Sequence, residues 1–247
     1  MEGTLVRDGG RERGDGREVV TSHLPSPISP LPFAVLFDLD GTLIDSIGLI
    51  VAAMEYAYDD RPHRPPVADW LAAIGTPLDG MLRRWARDDA DVMHLRTRYR
   101  EYQNDHHDQM TTPYPGVVET VRALHATGHP MAVVTSKLEV GARRSLKYIG
   151  IEKCFGAVVG LDATTRHKPD PEPVHYALER LGRLSPERAL FIGDSVHDLR
   201  SGNAAGVATG AALWGPSTRD ELAAAAPTHW LESFGDVRTL VERLAMK

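Results

Sequence analysis

The sequence predicts an α/β fold, a doubly wound parallel sheet interrupted once by a helical insertion. Three observations carry that prediction. Short apolar runs recur at residues 33–37, 131–134, 157–159, 189–192 and 207–213, each emptying into a polar loop. Segments with helical starts and stops lie between them. From 47 to 112 the alternation fails, and helix-like pieces follow one another with no convincing strand.

Residues 1–31 are rich in Gly, Arg, Ser and Pro and lack apolar periodicity. Such a segment buries too little surface to offset its ordering entropy, so it reads as a flexible extension. The first strand, Phe33-Ala34-Val35-Leu36-Phe37, is apolar throughout, as a strand covered on both faces must be, and it ends at Asp38. Helical pieces follow at 47–58, 67–74, 78–86 and 92–106, separated by the Pro-rich turn 61–66 and by Gly75-Thr76-Pro77. Beyond the insertion, a helix opening at Gly116 stops at Gly128, the helix 138–149 stops at Gly150, and the helix 171–181 opens on Pro171 and stops at Gly182. Strand–helix alternation implies right-handed crossovers. The predicted organisation is therefore an extension over 1–31, an α/β core from 32–46 and 113–247, and a helical insertion over 47–112.

Composition narrows the function classes. At 247 residues the chain is long enough for one α/β core and a smaller module. Its 42% hydrophobic and 25% charged content is that of a soluble globular protein. A formal net charge of −6 argues against a nucleic-acid-binding surface. No window approaches the roughly 18 apolar residues of a membrane span. Arg7, Arg11, Arg13 and Arg17 alternate with acids and glycines, unlike a secretory signal, so a cytoplasmic location is expected. The single cysteine, Cys154, has no disulfide partner and reads as a small buried apolar residue.

In an open parallel sheet, ligands bind beyond the carboxyl ends of the strands. Four polar segments fall there: Asp38-Leu39-Asp40-Gly41-Thr42-Leu43, Thr135-Ser136, Lys168-Pro169 and Gly193-Asp194-Ser195-Val196-His197-Asp198. Together they bring carboxylates, a hydroxyl and one lysine to neighbouring strand ends.

These four segments, in this order, resemble the signature motifs of the haloacid dehalogenase superfamily of phosphohydrolases, over about 210 residues from Phe33 onward. The resemblance implies a Rossmann-like core with a small helical, C1-type cap. It also implies Mg²⁺ as cofactor and a small phosphorylated metabolite as substrate. By that resemblance Asp38 is the nucleophile and Asp40 the general acid and base. Gly41 permits the tight turn, and Thr42 can bond backbone groups within it. Thr135 offers its hydroxyl to the phosphoryl oxygens; Ser136 is a helix-cap candidate whose N–H could also face phosphate. Lys168 neutralises both nucleophile and phosphoryl group, stiffened by Pro169 and Pro171. The expected metal shell is Asp38, the main-chain oxygen of Asp40, and Asp194, with Asp198 orienting waters or Lys168.

The insertion implies a cap that closes over the site and selects the leaving group. Gly75-Thr76-Pro77-Leu78, Arg83 and Arg84 resemble segments that reach toward substrate, although the two arginines equally suit a solvated helix face. Lys137 could meet a substrate anion or only water. His106 and His107 read as surface residues ending a polar helix, and His197 as a side chain pointing outward.

Rival activities are separated by single residues. Dehalogenation does not need Asp40, a sugar phosphomutase generally departs from the Asp194…Asp198 pattern, and a phosphonatase needs a cap lysine where residues 47–112 contain none. A noncatalytic regulator would have lost a motif residue, and none is missing. Thr135-Ser136-Lys137 and the Pro-rich run after Lys168 most resemble phosphoglycolate phosphatases and related pyrophosphatases. The expected assembly is a monomer or homodimer.

Overall fold

The computed structural model describes residues 33–246, so the extension expected over 1–31 lies outside the described residues. In chain order the strands are β1 (Ala34–Phe37), β2 (Ile44–Asp45), β3 (Thr112–Pro113), β4 (Met131–Val134), β5 (Ala157–Val159), β6 (Ala189–Gly193), β7 (Ala208–Ala212) and β8 (His229–Leu231). Six of them form one parallel sheet in the order β5-β4-β1-β6-β7-β8. β1 is flanked on both sides, so every backbone group along it can pair and its end is held rigidly.

The helices are α1 (Ile47–Ala57), α2 (Val67–Leu71), α3 (Leu78–Arg83), α4 (Asp89–His106), α5 (Val117–Ala126), α6 (Glu139–Tyr148), α7 (Glu172–Arg180), α8 (Val196–Ala204), α9 (Arg219–Ala223) and α10 (Gly235–Ala245). None among the described residues is long and apolar enough to cross a membrane. Strand alternation sorts the core into two faces. Val35, Phe37, Val133 and Ile192 pack on one face beneath residues of α5, α6 and α10. Leu36, Ala132, Val134 and Phe191 pack on the other beneath α7. The doubly wound reading holds because both faces are apolar and both are covered.

The insertion has its own core. Ala53, Met54 and Tyr58 of the α1 region, Trp70, Leu82, and Val92, Leu95 and Tyr99 of α4 form a separate apolar cluster. Its two connections to the sheet run side by side as the antiparallel pair β2–β3, with Ile44 opposite Pro113 and Asp45 opposite Thr112. α4 begins at Asp89, three residues before the expected start, because Asp88 caps it by accepting the Asp91 N–H at 2.8 Å. β8, α9 and α10 were not anticipated. The first is three residues long and only its last is buried, so its pattern is too short to register.

Candidate active site

β1 delivers Asp38 to the centre of the sheet's carboxyl edge, where its N–H donates to the Ile192 carbonyl at 2.9 Å. β4 runs into Thr135 and β6 into Asp194, so the three central strands bring the residues at their ends together. Lys168 enters from the loop before α7. That loop is clasped by Glu172, which accepts the Thr165 and Arg166 N–H groups at 3.1 Å each. The Asp170 carbonyl accepts Ser201 Oγ–H at 2.7 Å.

Lys168 is buried, and its three ammonium protons have three acceptors. These are Asp38 Oδ1 at 2.8 Å, Asp198 Oδ1 at 2.5 Å and the Val134 carbonyl at 3.2 Å. Burial works against its charge, but Asp198 and Asp38 outweigh burial and raise its pKa above the ordinary lysine value. Asp198 caps α8 through Ser195: its Oδ2 accepts the Ser195 N–H at 3.1 Å and Oγ–H at 2.6 Å. Both Asp198 oxygens are thus engaged, one by the lysine and one by the cap.

Asp38, Asp194 and Asp198 lie with carboxylate oxygens within 4.8 Å of one another, all buried. Three carboxylates against one ammonium leave about two negative charges uncompensated in a buried region at the edge of the cavity. The strain shows in the acids. Burial and then Asp198 push Asp38 above the usual carboxylate range, against the pull of Lys168. Burial and then Asp38 do the same to Asp194. Among the described residues, Asp38 Oδ2 and Asp194 Oδ2 accept no hydrogen bond, whereas Asp194 Oδ1 is held by Thr42 Oγ–H at 2.6 Å. A buried, oxygen-only donor set with a charge deficit of two fits a divalent cation. Asp38 and Asp194 have the open oxygens to hold it; Asp198 does not.

Glycines shape this pocket. Gly41 has φ +87°, and a Cβ there would lie 2.4 Å from Asp194 Oδ2. Gly215 approaches the same carboxylate, where a Cβ would lie 2.3 Å from Asp194 Cβ. Gly41 therefore does more than permit the turn. Thr42 also differs from expectation: its hydroxyl leaves the turn's backbone and anchors Asp194.

Asp40 faces a cavity of about 540 Å³ between the sheet edge and the insertion. Its Oδ1 accepts Ser46 Oγ–H at 2.5 Å and Lys137 Nζ–H at 2.7 Å, while Oδ2 accepts nothing from the described residues. Thr135 and Ser136 line the same cavity. Thr135 Oγ accepts the Lys137 N–H at 3.1 Å. Ser136 does not cap α6; its hydroxyl donates instead to the Gly75 carbonyl of the insertion at 2.6 Å. The insertion is close enough to compete for it.

Arg84 is not brought to the site. It is exposed, rests against the Trp85 ring at 6.0 Å and lies outside the cavity lining, and Arg83 is exposed and paired with Asp89. The cavity's insertion wall is built from the Gly75-Thr76 loop, where the sequence expected a substrate-facing segment, from Ile50, Leu78 and Met81, and from Arg96, Tyr99, Arg100 and Gln103 of α4. The α4 residues recur at helical spacing, but α4 is polar enough that its sequence does not declare which face turns inward. The histidine readings also change. His107 is buried, with Nε2 2.7 Å from Ser145 Oγ and Nδ1 2.7 Å from Asp108 Oδ1. His106 stacks on Tyr102. His197 is half-buried rather than outward, because the Gly75 loop lies over it.

The central strand ends thus present a lysine-paired aspartate and further buried acids beside a cavity walled in part by the insertion. The chain matches the haloacid dehalogenase-like hydrolase family over residues 35–212 and belongs to that family. It is 38% identical to the pyrophosphatase PpaX of Bacillus velezensis over 205 residues, 83% of this chain and 94% of that one. Its identity to the PpaX pyrophosphatase of Halalkalibacterium halodurans is 35% over 208 residues, 84% and 95% of the two chains. Among solved structures, it resembles a predicted phosphoglycolate phosphatase from Haemophilus somnus 129PT, with a TM-score of 0.78 and 26% identity across 87% of this chain and 99% of that one. The protein is a hydrolase acting on phosphate esters.

Proposed function

We propose that the protein is a Mg²⁺-dependent phosphohydrolase that uses Asp38 as nucleophile and passes through an aspartyl-phosphate. One observation carries this reading: Asp38 is fixed through Oδ1 by Lys168 while Oδ2 accepts no hydrogen bond from the described residues. Asp38 Oδ2 attacks phosphorus, and the bond from phosphorus to the leaving oxygen breaks. Asp40, two residues on and facing the cavity, gives that oxygen its proton. It then takes a proton from the water that cleaves the acyl phosphate, which releases inorganic phosphate, frees the Asp38 carboxylate and returns Asp40 to its protonated form. Lys168 balances charge on the phosphoryl oxygens, and the Thr135 hydroxyl orients them. A bound Mg²⁺, held by Asp38, Asp194 and the main-chain oxygen of Asp40, would supply further neutralisation of the transferring group.

The substrate is a small phosphorylated metabolite of the phosphoglycolate type. A second reading, hydrolysis of pyrophosphate, is favoured by the 35–38% identity to PpaX pyrophosphatases. Phosphate release from 4-nitrophenyl phosphate, 2-phosphoglycolate and pyrophosphate, with Mg²⁺ and after chelation, tests both. Asp38→Asn is expected to abolish turnover of all three; retained turnover removes Asp38 from the nucleophile's role.

A further inference from the structure

Three arginines and one lysine line the cavity in front of Asp40: Arg96, Arg100, Arg144 and Lys137. Three of these cations are already matched. Arg96 pairs with Asp79 at 2.8 Å, Arg144 with Asp108 at 3.1 Å, and Lys137 with Asp40 at 2.7 Å. Arg100 has no hydrogen bond or ion pair among the described residues. It projects from α4, one turn beyond Arg96, over the same space that Asp40 and Lys137 enter from the core. The wall around it is largely apolar, with Ile50, Leu78, Met81 and Val140 in the lining. An unmatched guanidinium there is a poor neighbour for a neutral leaving group and a good one for an anion.

We infer that Arg100 is a specificity-determining residue that receives a second anionic group, phosphate or carboxylate, carried on the leaving side of the substrate. The inference rests on the phosphohydrolase reading for what "leaving side" means, but not for the binding itself. The phosphoryl end belongs to Lys168 and Thr135, at the strand ends. The far end meets Lys137, whose stem packs beside Gly141 on α6, and Arg100 from the insertion. Two cations from two parts of the chain thus bracket the space a compact dianionic substrate would fill. Arg100 is exposed, so its replacement leaves the insertion's apolar cluster intact.

Binding is measured by calorimetry in Mg²⁺ with three probes that cannot turn over. Methylenediphosphonate carries a phosphate-like leaving side, 3-phosphonopropionate a carboxylate, and phenylphosphonate a neutral ring. Arg100→Met is expected to weaken one or both anionic probes by about tenfold or more relative to phenylphosphonate. Arg100→Lys should recover part of the loss. Whichever anionic probe falls further names the group that Arg100 receives. Equal effects on all three probes, or none, overturn the inference. Selective weakening of the anionic probes in a protein that releases no phosphate would uphold Arg100 while removing the phosphohydrolase reading.

Discussion

Lys168 Nζ lies 2.5 Å from Asp198 Oδ1, with both groups buried. Asp198 is in turn immobilised as the first-turn partner of Ser195 at the start of α8. The cation paired with Asp38 is therefore positioned by a helix cap rather than by its own flexible stem. Asp198→Ala removes one of three acceptors and leaves a buried ammonium short of a partner. We expect kcat to fall by about 100-fold or more with a smaller change in KM, since in the proposed mechanism the lysine stabilises charge that develops during transfer. Asp198→Asn, which keeps an acceptor at the same place, should lose less. Equal losses in the two variants, or a pure KM effect, would count against a positioning role.

Much of this site was legible because its chemistry is local in the chain. Asp38, Thr135 and Asp194 each follow an all-apolar strand, and the order of strands in the sheet then brings them together. Lys168 was marked by its flanking prolines. What the sequence withheld depends on helix rotation and on contacts across the two parts of the fold. Arg84, just past the end of α3, and Arg100, on α4, are both arginines of the insertion, and the inward packing of Tyr99 and Leu95 decides that the α4 residues face the cavity. Ser136 and His107 were misread for a related reason. Their partners, Gly75 and Ser145, lie 61 and 38 residues away and on the opposite part of the fold.

Gly215 offers a direct test of how tightly the Asp194 carboxylate is packed. A Cβ at this position would lie 2.3 Å from Asp194 Cβ and 2.8 Å from the Gly41 carbonyl, so Gly215→Ala must displace one of them. Asp194 is also tethered to Thr42 and cannot move without breaking that bond. We expect the Mg²⁺ concentration for half-maximal activity to rise by about tenfold or more. Gly80→Ala provides the control, because a Cβ there meets nothing within 4 Å. If Gly215→Ala leaves the Mg²⁺ requirement unchanged, the packing of Gly215 against Asp194 does not set the affinity for the metal.

The end of α4 is fastened to α6 of the core through His107, and this fastening is expected to respond to pH. His107, just past the end of α4, sits beside Ser145 of α6, while Tyr148 Oη–H and Arg144 of the same helix bond the Asp108 carbonyl and carboxylate. The neutral imidazole fits: Nδ1–H donates to Asp108, and Nε2 accepts the Ser145 hydroxyl. Protonation need not break these bonds, since Ser145 Oγ can turn toward the Gly141 carbonyl at 3.2 Å. The cost is the buried charge itself, increased by Lys137 and Arg144 and only partly relieved by the bond to Asp108. The net effect is a pKa below the ordinary histidine value of 6.5. The unfolded chain then binds the proton more readily than the native one. The contribution to stability is complete above pH 6.5 and is lost as pH falls from there through the lower native pKa. Melting temperatures at pH 7.5 and 5.5 should accordingly differ more for the wild type than for His107→Gln, which cannot titrate. Ser145→Ala, which deletes one hydrogen bond, should cost about 1 kcal/mol at pH 7.5. An identical pH response in wild type and His107→Gln would mean that this fastening does not sense protons.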